Sequence, residues 1–193
     1  MMSINLNQCV YYMKKSIKFN SSNIIKIRQN IDKKKKDYWK IIRAENVMSN
    51  KEIKAGLGSG KDIKALYNEI TQLSEKLVYI KGMLAALNTG ETTFDKNAFK
   101  KTNNYSIFMA TEMKEAVAQL KMVPTIDPAT KAKKGGASKM GKSEIFTSAK
   151  IASLIKELQL KATKYDNDME EFNSNNEIDI ASLSDDFKEY LAV

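Results

Sequence analysis

The chain contains no histidine and a single cysteine, Cys9. Without histidine there is no imidazole general base, no HExxH site and no Cys/His zinc module. One cysteine excludes an internal disulfide and CxxC redox chemistry, which suits a reducing, cytoplasmic setting. Cys9 therefore reads as a small apolar packing residue, since nothing of the imidazole type is present to activate it. Eight glycines and two prolines in 193 residues are too few for an all-β fold, which needs turn residues every 8–12 positions. No run of 18 apolar residues occurs, so no membrane-spanning helix is expected. The first ten residues are interrupted by Asn5, Asn7 and Gln8 and lack the apolar stretch of a secretory signal. No acid precedes Asp32, a composition shared with organellar presequences, although lysine stands here where those prefer arginine. Organellar import is the minor alternative to a cytoplasmic location.

What is present is a chain long enough for one well-formed core, 42% hydrophobic and 28% charged, with a net charge of +9. The charge is segregated. Residues 1–50 carry 11 basic and 3 acidic side chains, whereas residues 166–193 carry nine acids against Lys188 alone. This asymmetry points to a basic face for an anionic partner and an acidic tail able to compete for it. A lysine-rich codon bias accounts for the abundance of lysine but not for its separation from the acids.

Periodicity predicts three long helices. From Lys61 to Asn88 the apolar residues Ile63, Leu66, Ile70, Leu73, Leu77, Ile80, Leu84 and Leu87 alternate spacings of 3 and 4 without a miss, the pattern of a coiled-coil or bundle seam. Ser59 with Asp62 fits a capping signature at its start, and Gly90 fits a glycine stop. A second segment, Ser22 to Met48, places Ile24, Ile27, Ile31, Tyr38, Ile41 and Met48 on one heptad line, with Lys34 and Glu45 in the remaining slots. A third, Ser143 to Phe172, aligns Ile151, Ile155, Leu158, Ala162, Tyr165, Met169 and Phe172. Shorter helices are expected at Leu6–Phe19, Tyr105–Met122 and Ser182–Leu191. Val123-Pro124 and Asp127-Pro128 end the fourth of these segments.

Residues 136–143 match the P-loop pattern GxxxxGK[ST], with Lys142 and Ser143 in the phosphate- and magnesium-binding places. The context is wrong, because no buried strand precedes it and no strand ending in an acid follows. The match reads as chance in a Lys- and Gly-rich linker. A second glycine loop, Gly56 to Lys61, leads into a helix and reads as a hairpin turn, with anion binding as the lesser alternative. Lysines 131, 133, 134, 139 and 142 lie in 12 residues free of acid and suit either a phosphate-tracking loop or a plain linker. Lys33, Lys34, Lys35 and Lys36, followed by Trp39, Lys40 and Arg43, form the other basic cluster. Four consecutive lysines spread around a helix as a collar. Trp39 stacks on a base in one reading and anchors the core in the other. Asp166, Asp168, Glu170 and Glu171 lack calcium-loop spacing and read as a solvated acidic face.

The expectation is an all-α single domain: an elongated bundle on a long antiparallel coiled-coil-like hairpin, with short accessory helices. Residues 1–122 form its basic part, 123–142 a Lys/Gly-rich loop, and 143–193 a long helix with an acidic end. No catalytic, metal or cofactor-binding residues are expected. The function indicated is non-enzymatic, holding nucleic acid or another acidic partner through Lys33, Lys34, Lys35, Lys36, Trp39, Lys40, Arg43, Lys131, Lys133, Lys134, Lys139 and Lys142. The alternative is an assembly protein whose seam from Ile63 to Leu87 packs against a second copy or partner helices.

Overall fold

The computed structural model describes residues 18–48, 51–52, 55–126 and 145–177. Among these the chain is all-helical and contains no strand. The helices are α1 (Ser21–Glu45), α2 (Ile63–Asn88), the one-turn α3 (Lys96–Phe99), α4 (Asn103–Lys121) and α5 (Ser148–Asn175). Each starts where a short polar side chain satisfies a free N–H of the first turn. Asn20 accepts from the Asn23 amide at 2.9 Å, Asp62 from Lys64 at 2.9 Å and Asp95 from Asn97 at 2.7 Å. Thr102 and Thr147 do the same for Tyr105 and Lys150. Asp62 alone therefore caps α2, and Ser59 is used elsewhere. Likewise α5 begins at Ser148, capped by Thr147, rather than at Ser143. Gly90, with φ of +84°, follows the end of α2 in the left-handed region that favours glycine. Of the other expected helices, Ser182–Leu191 and residues 6–17 of Leu6–Phe19 lie outside the described residues.

Helix α1 packs on α2, α5 on α4, and α2 on α4. Along the first pair the partners run in reverse order: Glu45 meets Ser59, Trp39 meets Tyr67, and Tyr38 meets Glu69. Along α4 and α5, Asn103 meets Asn173, Tyr105 meets Tyr165, and Lys114 meets Asp166. The seam of α2 is consumed inside the chain, with Ile63, Leu66, Ile70, Leu73, Leu77 and Ile80 all buried. Each contributes roughly 1.5–3 kcal/mol on burial. That removes the reason to expect self-association along this line, and only Leu84 and Leu87 at its far end are half-covered.

In α1 the expected heptad line is corrected. The buried positions are Ile24, Lys35, Tyr38, Trp39 and Ile42, followed by Asn46, while Ile41 is only half-buried. A straight α-helix turns every 3.6 residues, so a line drawn at 3.5 drifts off the core face within a few turns. Ile42 and Asn46 replace Ile41 and Glu45 for that reason.

Two packing features fix the ends. At one, Trp39, Ile42, Ile63, Leu120, Val123, Phe146 and Ile151 belong to one buried apolar cluster, and Asn46 is fully buried. The Asn46 amide donates to the carbonyls of Pro124 at 2.8 Å and Phe146 at 2.9 Å, and its oxygen accepts from the Phe146 amide at 2.7 Å. One side chain thus ties α1 to both flanks of the segment between α4 and α5. At the other end Phe99 of α3 lies on Gly82 of α2, ringed by Tyr79, Phe94, Tyr105 and Phe108.

Candidate nucleic-acid interface

The four consecutive lysines of α1 have four different fates, because successive residues turn by about 100° around a helix. Lys33 and Lys36 point outward, away from the core face, and are exposed. Lys34 lies on the flank toward α2, its amine 3.5 Å from Glu69 and 5.3 Å from the centre of the Tyr38 ring. Hydrogen bonding to Tyr38, together with Glu69, raises its pKa above the ordinary value. The same Tyr38 hydroxyl donates to Glu69 at 2.8 Å and holds that carboxyl below the usual range, with help from Lys34.

Lys35 turns inward. It is 3% exposed, and its ammonium donates to Glu112 of α4, itself 4% exposed, with Glu115 3.5 Å away. Glu112 also accepts from Lys81 of α2 at 2.8 Å. Burial alone would push the Glu112 carboxyl up. The Lys35 charge and the hydrogen bonds from both lysines outweigh it and hold the pKa below its ordinary value. Trp39 is 2% exposed and meets Tyr67 edge-to-face at 6.0 Å between ring centres. Lys35 and Trp39 are therefore withdrawn from the expected phosphate- and base-contacting set, since neither reaches the surface. Arg43 is half-buried and donates to Gln119 of α4. Lys40 remains exposed, 3.5 Å from Asp37.

What α1 presents outward is a lysine stripe. Lys26, Lys33 and Lys40 are seven residues apart, two turns each, with Lys36 beside them, and all are exposed. Lys26, Lys33 and Lys36 make no ion pair among the described residues. Lys26 is not among the expected binding residues because it stands apart from the run of four, and only its heptad spacing from Lys33 marks it in the sequence. Lys131, Lys133, Lys134, Lys139 and Lys142 lie outside the described residues. So does the P-loop-like run at 136–143. The helix that follows it starts five residues after Ser143, whereas P-loop chemistry needs the GK[ST] amides at the helix start itself.

The glycine loop before α2 has its own carboxylate. The Ser59 amide donates to Glu45 at 2.6 Å, so a side chain of α1 occupies the place an anion would take. Among the described acids of α5, Asp166 pairs with Lys114 at 2.8 Å. No group of three His, Cys, Asp or Glu side chains among the described residues is arranged to hold a metal ion. No helix among them is long and apolar enough to cross a membrane. No protein-family model matches the chain, no curated protein matches its sequence, and no solved structure matches its fold.

Proposed function

We propose that this chain is a non-enzymatic helical protein that holds nucleic acid through phosphate contacts along the outer face of α1, with little sequence readout. The observation that carries the reading is the stripe of Lys26, Lys33, Lys36 and Lys40 on one exposed line. Seven helical residues span about 10.5 Å, roughly three base steps of a duplex at 3.4 Å each. Lysines at that spacing can follow a phosphate backbone, and their affinity comes from counterion release rather than from base edges. With Trp39 buried and the Arg43 guanidinium half-buried and engaged by Gln119, the stripe itself consists of lysines, which accords with weak sequence preference. The fold presenting it is best described as an antiparallel, coiled-coil-like hairpin of α1 and α2 completed by α4 and α5. We place it in the cytoplasm.

Replacing Lys26, Lys33, Lys36 and Lys40 together by Gln tests the proposal by fluorescence anisotropy on a labelled duplex and single strand at two salt concentrations. The expected result is affinity lowered tenfold or more and a shallower salt slope. A charge-matched control, with Lys64, Lys76, Lys100 and Lys101 changed to Gln, should bind nearly as the parent does. Equal loss in both would show that net charge alone, and not this face, attracts the ligand.

The assembly reading has one feature in its favour. Leu84, Ala85, Ile107 and Phe108 line an open cleft of about 430 Å³ between α2 and α4, at the half-covered end of the seam. A partner helix laid there would complete the burial of Leu84. Light scattering over micromolar concentrations, with Ile107→Asp as the comparison, distinguishes self-association through this cleft from a monomer.

A further inference from the structure

The buried ion cluster of Lys35, Glu112 and Lys81 joins three helices at one layer, and its stoichiometry is unusual. Two ammonium groups share one carboxylate, and the side chains are 4%, 3% and 17% exposed for Lys35, Glu112 and Lys81. The next acid, Glu115, is half-exposed and stands 3.5 Å from Lys35. Removing such charges from water costs several kcal/mol per ion, and apolar residues of similar volume generally pack at least as well. The cluster is therefore poorly explained as a source of stability.

Its geometry fits a different role. The seam of α2 repeats Ile and Leu at every heptad position, and the buried apolar residues of α4 are the small and aliphatic Ala110, Val117 and Leu120. Such surfaces pack almost equally well after one helix slides by a turn or two along another. Charges do not. If α4 shifts by one heptad, Tyr105 or Gln119 replaces Glu112 opposite the two lysines. A shift of four residues brings Phe108 or Ala116 there. Each takes the Glu112 carboxylate away from the buried Lys35 ammonium and the part-buried Lys81 ammonium. A slip of three residues would bring in Glu115, but it also turns α4 by about 60° and moves Ala110, Val117 and Leu120 off the core face. Only the observed register satisfies both the apolar face and the two lysines.

We propose that the Lys35–Glu112–Lys81 cluster is a register lock, selecting one axial position of α4 against α1 and α2 among several that apolar packing would accept. The lock acts at one point because its three members come from three different helices and no other carboxylate among the described residues is buried with them.

The test replaces the whole cluster at once: Lys35→Met, Lys81→Met and Glu112→Leu. Spin labels at exposed positions 40 and 118, with Cys9→Ser, report the α1–α4 separation by electron–electron resonance, and circular dichroism follows melting. The lock predicts a variant that stays helical and melts at or above the parent temperature but shows two or more distances, or one shifted by a helical turn, where the parent shows one. A variant that is equally stable and retains the parent's single distance would overturn the proposal. A variant that fails to fold would overturn it as well, by making the cluster a source of stability rather than of register. A second pair separates the two acids: Glu115→Gln should leave the single distance intact, while Glu112→Gln should not.

Discussion

The two ends of this bundle are closed by opposite means. Around Asn46 a fully buried amide hydrogen-bonds to backbone on both flanks of the α4–α5 connection, and its donors and acceptor are matched inside an apolar shell. Around Gly82 no buried hydrogen bond among the described residues does comparable work. Phe99 fills the space left by the missing side chain, and other rings surround it at 5.2–6.5 Å. The one buried side-chain atom without a partner among the described residues, Asn103 Oδ1, sits at the start of α4 on that side. One end is specified by polar matching, which is all-or-none. The other is specified by shape, which yields by degrees. Between them lies the Lys35–Glu112–Lys81 layer, where the cost of a mismatch is highest.

That ordering predicts a ranking of losses. Glu112→Gln removes the carboxylate that Lys35 and Lys81 share, leaving the buried Lys35 only the half-exposed Glu115, and should cost about 3–5 kcal/mol, read as a shift in the urea midpoint at neutral pH. Its pH dependence follows from the sign of the shift. The folded carboxyl titrates below its ordinary value of 4.5, so its contribution is fully present above that value. The contribution is lost as pH falls through the lower folded value. In the Gln variant this part of the acid dependence should be missing, and the parent and variant curves should converge in acid.

Asn46→Ala comes next. The Phe146 amide loses its acceptor and two carbonyls lose their donor in a buried site, for an expected cost of about 2–4 kcal/mol. Hydrogen exchange localises the damage: the Phe146 amide should exchange much faster, whereas amides in the middle of α2 should change only in step with global stability. Uniform acceleration across all helices would instead mean that this end and the aromatic end unfold as one unit.

The sequence carried these regions to different degrees, and the reasons are physical. The α2 seam was legible because eight Ile and Leu positions at alternating spacing leave no competing period. The general helix content was legible from the shortage of Gly and Pro. Within Lys33–Lys36 the letters are identical, so nothing local distinguishes the one that turns inward. The choice is made by Glu112, 77 residues away. Asn46 and Gly82 were hidden for a related cause. A single asparagine past a helix and a single glycine within one acquire their roles only from distant partners. The lysine stripe was half visible, as Lys33, Lys36 and Lys40, but the run of four drew attention from Lys26, which completes the line.

The smallest and most diagnostic loss is expected at Gly82. A Cβ added there would lie 2.4 Å from Phe99 Cζ and 2.7 Å from both ε-carbons, closer than packed carbon atoms come. The ring cannot retreat freely, because Tyr79, Phe94, Tyr105 and Phe108 stand around it. Overpacking of this kind costs about 1–3 kcal/mol. Alanine in a helix returns about 1 kcal/mol through propensity, so Gly82→Ala should be destabilising by about 1 kcal/mol net. Phe99→Leu alone should also destabilise, through lost area and a small cavity. In the double variant the smaller side chain makes room for the new methyl group, so the two losses should fall short of additivity by at least 0.5 kcal/mol, a coupling of the size about expected for residues in contact. Strict additivity in the denaturation midpoints would mean that the ring and the glycine do not define this end together. A net gain from Gly82→Ala would mean that the aromatic cluster re-packs without cost, and the contrast with the Asn46 end would then be sharper still.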